Sequence, residues 1–489
     1  MKRTTLSLFA TTAALAAVTG LAVVTMPGAD GDDAAPSAAR LPVERSGLLC
    51  PAPSDSDLAD TTYTSYTPKS PGASDSGRAV LDPAARAKKK AGAPALRPAE
   101  PGTPVTAEES GADVPALIGA AEGRLAPGWT VQQTTTVTAG EGRGVLGLAC
   151  AAPDTEFWLP GASTAEGRTD YVHLTNPDDA AAVVDIELHG KDGALASSLG
   201  EDIQVQPRAT VPVLLSTLTE KPQGDLTVHV TVRSGRVAAA IRAVDAERGA
   251  DWLAPAADPA PAVVLPGVPE DVTAARLVVF APGDQDAELT LQVASPNGPI
   301  VPAGNEELHV KAGMTTAVDL GEITRGEPGS LLLAPKDGSS APVVAALQVV
   351  RGKGDRRETA YLPASTGIGA RATVADNRAG GGALALTSTG RSAKVRVTAS
   401  AGSGGGAPVS RTYPVPEGAT VRVDDLVPKG LEGSYALTVE TLSGGPVHAS
   451  RMLELPEDGI PMFTVQTLAD DRGTVAVPKA EEDLSVLQD

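Results

Sequence analysis

Apolar and polar residues alternate in short runs along most of this chain, and one alternating phrase recurs. Residues 205–213 read Val-Gln-Pro-Arg-Ala-Thr-Val-Pro-Val, and counterparts stand at 310–318 and 415–423. The shared threonines are Thr210, Thr315 and Thr420, successive copies lying 105 positions apart. Period-two alternation over five to eight residues is the mark of a half-buried strand. Turn residues such as Asn176-Pro-Asp-Asp179 and Ala281-Pro-Gly-Asp284 separate the runs. Each unit continues into a further strand pair: Gly224 to Val230, Gly329 to Leu333 and Gly433 to Val439, each followed by a glycine-bearing turn and a second alternating run. Six or seven short strands per 105 residues predict an all-β fold of tandem immunoglobulin-like β-sandwich domains. The period is too long for a single propeller blade of roughly 40–50 residues.

The phrases set the expected boundaries. Repeat 1 covers 157–258, opening on Phe157-Trp-Leu-Pro-Gly161. Repeat 2 covers 259–359, opening at Val263-Val-Leu-Pro-Gly267. Repeat 3 covers 360–456, opening near Tyr361-Leu-Pro363, and a terminal strand and tail fill 457–489. Residues 40–156 read as a smaller, incomplete N-terminal β region interrupted by a disordered Pro/Ala-rich insertion at 68–104. That insertion carries a basic cluster of Arg86, Lys88, Lys89 and Lys90, read as a solvated loop.

Residues 1–39 change the picture of where this chain works. Lys2 and Arg3 precede an uncharged apolar run from Leu6 to Val24, the pattern of an export segment. Its length suits either a cleaved signal peptide or a retained N-terminal anchor with a single membrane span. Both place the folded mass outside the cytoplasmic membrane, secreted or attached to its outer face. Gly and Pro, 52 and 41 residues, stay below the roughly 25–30% at which disorder is the default. The formal net charge of −20 disfavours nucleic acid as a partner. An even count of two cysteines in an exported chain predicts a disulfide between Cys50 and Cys150.

Candidate chemistry is sparse. No HExxH, phosphate-binding loop, nucleophile elbow or clustered Cys/His set occurs, so no catalytic, cofactor or metal residue is expected and the protein is read as no enzyme. The repeats supply an internal control for the histidines. His173 is matched by Val278, His189 by Ala294 and His229 by Ala334, which excludes a histidine site common to all units and leaves only one confined to repeat 1. Asp284-Gln-Asp286-Ala-Glu288 has the alternating oxygens of a calcium loop but is read as a solvated turn. Trp158 and Trp252 lie near unit junctions, as domain-junction plugs or as a glycan platform.

Leu41-Pro-Val-Glu-Arg-Ser, Cys50-Pro-Ala-Pro, Phe157-Trp-Leu-Pro-Gly-Ala-Ser, Tyr171-Val-His-Leu-Thr-Asn-Pro and Arg472-Gly-Thr-Val-Ala-Val-Pro are similar to phrases of a known family. The chain resembles the secreted proteins of high-G+C Gram-positive bacteria grouped as domain of unknown function 5719. The resemblance implies no assigned activity, so no functional residue is carried over; it implies a gene encoded beside those of envelope glycosyltransferases. The expected role is a non-enzymatic structural or adaptor protein of the cell envelope, with an envelope protein or polysaccharide as partner. The alternatives are an envelope glycan-binding protein and, further off, a cryptic cell-wall hydrolase.

Overall fold

The computed structural model describes residues 39–85, 95–336, 338 and 340–477. The expected export segment, the basic cluster at 86–90 and the last residues of the expected tail lie outside them. The described residues are almost all strand or turn, with three helical segments of three or four residues, Ser198–Gly200, Leu215–Leu218 and Gly354–Arg356. No helix among them is long and apolar enough to cross a membrane.

Alternation builds each sheet. In Ala182–Gly190, Val184, Ile186 and Leu188 turn inward to a core with Leu159, Leu174, Val228 and Ile241, which puts Glu187 and His189 on the opposite face. Seven principal strands make each module, and numbering them 1 to 7 along the chain gives the same antiparallel sheets throughout, 1-5-3 and 4-2-6-7. In repeat 1 the first sheet holds Glu156–Ala162, Leu226–Ser234 and Ala182–Gly190. The second holds Thr210–Leu214, Arg168–Thr175, Ala238–Asp245 and Gly249–Leu253. The β-sandwich class is as expected, while an immunoglobulin constant domain groups its strands 1-2-5-4 and 3-6-7.

The N-terminal region is a full fourth copy of this topology, not an incomplete one: 1-5-3 is Arg45–Cys50, Leu117–Gly123 and Gly77–Pro83, and 4-2-6-7 is Val105–Ser110, Ala59–Tyr66, Thr130–Val137 and Gly144–Ala149. Strand Gly77–Pro83 falls inside the stretch expected to be disordered, and it pairs along its length with Leu117–Gly123. Its apolar side chains, Ala79 and Leu81, are buried, and the Pro/Ala composition around them hid that short alternation. Two boundaries also move. Tyr361-Leu-Pro363 belongs to the last strand of repeat 2, Glu358–Pro363, and repeat 3 opens on Arg371–Asn377. A Leu-Pro pair occurs in the opening strands, at Leu159 and Leu265, and in this closing strand at Leu362, so the phrase marks two different places. At the other end, Phe463–Leu468 completes repeat 3 by pairing with Val447–Glu454 and is no separate tail.

Cys50, at the end of the first strand, is bonded to Cys150, just after the seventh, with a Cα–Cα distance of 4.6 Å and a sequence separation of 100. Cross-linking so long a loop restricts the unfolded chain by about 4–5 kcal/mol in the chain-entropy account. Reduction is therefore expected to lower the urea midpoint of the native protein. A midpoint identical with and without reductant, both thiols being alkylated in the reduced sample, would reject this.

Residues 42–475 form one compact body in which the four modules close into a ring instead of standing in a row. Residues 39–41 and 476–477 make a small unit of their own, where Ala39–Pro42 pairs with Thr474–Val477. The four seventh strands lie side by side around the ring axis, and that of repeat 3 returns to that of the N-terminal module. Each joint has an apolar contact and a polar lock. Leu49 and Ile118 pack on Ala238, with Arg242 bonded to Asp55 at 2.6 Å. Trp158 packs on Phe280 and Val344, with Arg276 bonded to Asp225. Met452, Phe463 and Val465 pack on the core of repeat 2, with Arg351 reaching Glu454 at 2.7 Å. Tyr66 meets Ala375 and Ala436, with Arg371 donating to Ser70.

Two of the recurring threonines bond across these joints, and the third stands beside one. Thr315 donates to the carbonyl of His189 at 2.8 Å and lies 3.0 Å from the Thr227 hydroxyl. One joint on, Thr420 donates to the carbonyl of Ala294 at 2.7 Å and lies 3.0 Å from the Ser330 hydroxyl. Beside Thr210, the amide of Ala85 donates to the carbonyl of Arg208 at 2.7 Å. The phrase that repeats along the chain thus includes the residues that seat one module on the one before it.

Candidate functional site

Two polar constellations stand out, one on the ring axis and one at a joint. On the axis, Asp251 is fully buried in Gly249–Leu253. Its carboxyl accepts from the Gly147 amide at 3.0 Å and from the Thr464 hydroxyl at 3.1 and 3.2 Å, and the amides of Trp252 and Tyr361 also bond to it. One side chain therefore joins the seventh strands of all four modules. A Cβ on Gly147 would stand 2.5 Å from Cγ2 and 2.7 Å from the hydroxyl of Thr464, so glycine at this position leaves Thr464 its place beside Asp251. Burial drives the Asp251 carboxyl well above the usual carboxylate range, against the opposing effect of these bonds.

Glu358 opens the seventh strand of repeat 2, and its side chain is 0% exposed. Oε2 lies 3.4 Å from Nε of Arg143, and Arg143 donates from its other end to the Arg357 carbonyl at 2.7 Å. Burial pushes this carboxyl up to about 8, only partly offset by Arg143 and reinforced by Asp251. The side chain fills space left by a glycine: a Cβ on Gly249, whose φ is +85°, would stand 2.9 Å from both Glu358 carboxylate oxygens. Buried carboxyls with raised pKa values often mark catalysis. Here both are sealed from solvent and bonded or packed between modules, so the arrangement joins strands.

The joint between repeats 1 and 2 holds the second constellation. Glu187 and His189 project from one face of Ala182–Gly190, and His229 lies directly across from Glu187 on Leu226–Ser234. Trp158, on the neighbouring strand, stacks on His229 with ring centroids 3.7 Å apart and also meets Phe280 of repeat 2. His229 Nε2 is 2.9 Å from Glu156 Oε1 and its Nδ1 is 3.4 Å from Glu187 Oε2. His189 Nε2 is 3.7 Å from that same Glu187 oxygen. Among the described residues, Glu187, His189 and His229 are the group whose ligand atoms converge.

The remaining sequence candidates are dispersed. His173 is buried edge-on against Trp252, away from the other two histidines, and burial lowers it to about 3. Asp286 and Glu288 both face His309, and Asp286 also accepts from the Ala312 amide, which is a turn held by local bonds. Trp158 is 8% exposed and Trp252 2% exposed, both packed into joints, so neither presents a ring face to solvent. Pairing also corrects one match: His229 corresponds to Leu332 of repeat 2, not Ala334, because each stands opposite the equivalent residue of the third strand, Glu187 and Gln292. Sequence spacing alone missed Asp251 and Glu358, which sit among 60 acidic residues with no distinguishing pattern.

A shallow cleft of about 570 Å³ lies beside the joint of repeats 1 and 2, lined among others by Arg248, Arg276, Lys353 and Arg357 with Asp319 and Glu322. Its arginines are already engaged: Arg276 with Asp225 and Asp319, Arg357 with Glu247, and Arg248 with Asp245.

The model of a family of unknown function, DUF5719, matches residues 105–425, about two thirds of the chain. The chain belongs to this family. No curated protein matches it. The stretch matched to DUF5719 takes in repeats 1 and 2 whole, and with them the Glu187–His189–His229 group, Asp251 and Glu358. The half of the N-terminal module that carries Cys50, and the Phe463–Leu468 strand that closes the ring, lie outside that match.

Proposed function

We propose that this DUF5719 protein is an extracytoplasmic, non-enzymatic scaffold or adaptor of the cell envelope, which presents the loops and edges of a rigid ring to a protein partner. The observation that carries this reading is the engagement of Asp251 by all four inner strands. A fully buried carboxyl that bonds across modules serves to hold them together, as a scaffold requires. The Cys50–Cys150 disulfide is consistent with an oxidising compartment. Closure into a ring leaves loops at its two ends and outer strand edges as the surfaces for recognition.

The burial of Trp158 and Trp252 favours a protein partner over a glycan, because carbohydrate stacking needs an accessible ring face. The test is cosedimentation of the protein spanning residues 40–489 with purified, protein-free envelope glycans across a salt series, paired with crosslinking in intact cells. The expected result is no saturable sedimentation, together with a discrete crosslinked protein species. Saturable glycan binding that survives moderate salt would replace the adaptor reading with glycan binding. Turnover of cell-wall material by the pure protein would replace both with a hydrolase.

A further inference from the structure

The histidine cluster at the joint of repeats 1 and 2 carries an inference that does not depend on the scaffold reading. We propose that Glu187, His189 and His229 bind one divalent transition-metal ion of the zinc class, with Glu156 orienting His229 from behind.

A neutral imidazole carries one N–H and one lone pair. His229 has a carboxylate oxygen near each nitrogen, Glu156 at 2.9 Å from Nε2 and Glu187 at 3.4 Å from Nδ1. With the proton on Nε2 donated to Glu156, Nδ1 turns a lone pair toward the Glu187 carboxylate, a repulsion that a second proton or a metal cation at Nδ1 relieves. His189 adds a third donor at that place, and neither of its ring nitrogens makes a hydrogen bond. Burial lowers His189 below its ordinary value, which favours the neutral imidazole a metal needs.

The candidate ligand atoms lie within 4.8 Å of one another. Metal–nitrogen and metal–oxygen bonds of roughly 2.0–2.2 Å need them about 3.3 Å apart, a closure within reach of side-chain rotation. A carboxylate behind a ligating histidine is the usual means of fixing its tautomer, and Glu156 stands in that position. Two imidazoles and one carboxylate suit zinc and its neighbours better than calcium or magnesium, which prefer all-oxygen sets. Three protein ligands leave a fourth position for water or for a donor from a partner. The cluster is peculiar to repeat 1: Gln292, Ala294 and Leu332 take the equivalent places in repeat 2 and offer no such set. Trp158 and Phe280 wall it from the joint side.

The test uses the protein spanning residues 40–489, purified without a histidine tag and stripped with chelator at pH 8. Zinc is titrated by calorimetry, and cobalt by visible absorption and tryptophan fluorescence. One ion per chain is expected, with visible bands of low-coordinate cobalt and partial quenching, since Trp158 stacks on the ligand His229. Glu187→Gln and His189→Ala should each weaken zinc binding at least about 100-fold, and Glu156→Gln by about 10- to 100-fold. His309→Ala, at an exposed histidine flanked only by carboxylates, should leave binding unchanged. Melting of the metal-free variants confirms that they fold, and exposed Glu187 makes its substitution mild. Absence of saturable binding, or stoichiometric binding that His189→Ala and Glu187→Gln leave intact, overturns the proposal.

Discussion

Replacing Asp251 by alanine is expected to destabilise the ring by on the order of 4 kcal/mol, read as the shift in free energy of unfolding by urea. The change removes the acceptor shared by Gly147, Tyr361 and Thr464, which belong to three different modules. Each buried donor left without a partner costs roughly 1–3 kcal/mol, and water cannot take over at a site closed on every side. Asp251→Asn separates this from a charge effect. Burial raises the Asp251 carboxyl well above the usual carboxylate range, and the amide matches its shape: its oxygen keeps the backbone donors, and its NH2 donates to the Thr464 hydroxyl, which turns from donor to acceptor. Asp251→Asn is therefore expected to cost about 1 kcal/mol or less. Equal large losses in both variants would show that the charge itself holds the strands, and a small loss in the alanine variant would remove Asp251 from the role of hub.

Glu358 should make the protein less stable as pH rises from about 5 to 8. Unfolded, this side chain releases its proton near pH 4.3; folded, burial holds the release up to about 8. Between those values the native state binds more protons than the unfolded state, so stability falls with pH, by on the order of 3 kcal/mol on reaching pH 7. The full contribution is present below pH 4.3 and is lost on rising through 8. Glu358→Gln cannot ionise, so it should remove this part of the slope and be more stable than the parent at pH 8. Asp251, also raised, adds a slope of the same sign, so the flattening is partial. Arg143 pulls the other way at 3.4 Å. If its attraction outweighs burial, Glu358→Gln will be the less stable protein at pH 8, and urea midpoints across pH 5–8 decide between the two.

The parts of the fold that could be read from the chain are those that rest on local alternation. Strands, hairpins and the 105-residue period follow from side chains taking turns at facing a core, as Val184, Ile186 and Leu188 do against Glu187 and His189. The N-terminal module is hard to read in the chain because its third strand, Gly77–Pro83, is short and set among Pro, Ala and Gly. Pairing with Leu117–Gly123 supplies the support that its own residues lack. The boundary of repeat 3 is ambiguous in the chain because Leu-Pro marks both an opening and a closing strand, and only the partner strand tells them apart. Among candidate residues, the pairing of Cys50 with Cys150 was legible from their number and the export segment. The convergence of His189 with His229 was not, since they stand 40 positions apart and meet through strand register.

By itself, then, the sequence determined that this is a repeated all-β chain with strands of known phase, since period-two patterning is a property of neighbouring residues. Tertiary structure decided that four modules close into a ring and that Thr315 and Thr420 lock joints. It also decided that Asp251, one of 60 acidic residues, is the group on the axis to which all four inner strands bond. The physical reason is that closure depends on surfaces of different modules meeting, and a carboxylate's role depends on which donors surround it and how far water is excluded. Neither is a function of its neighbours in sequence.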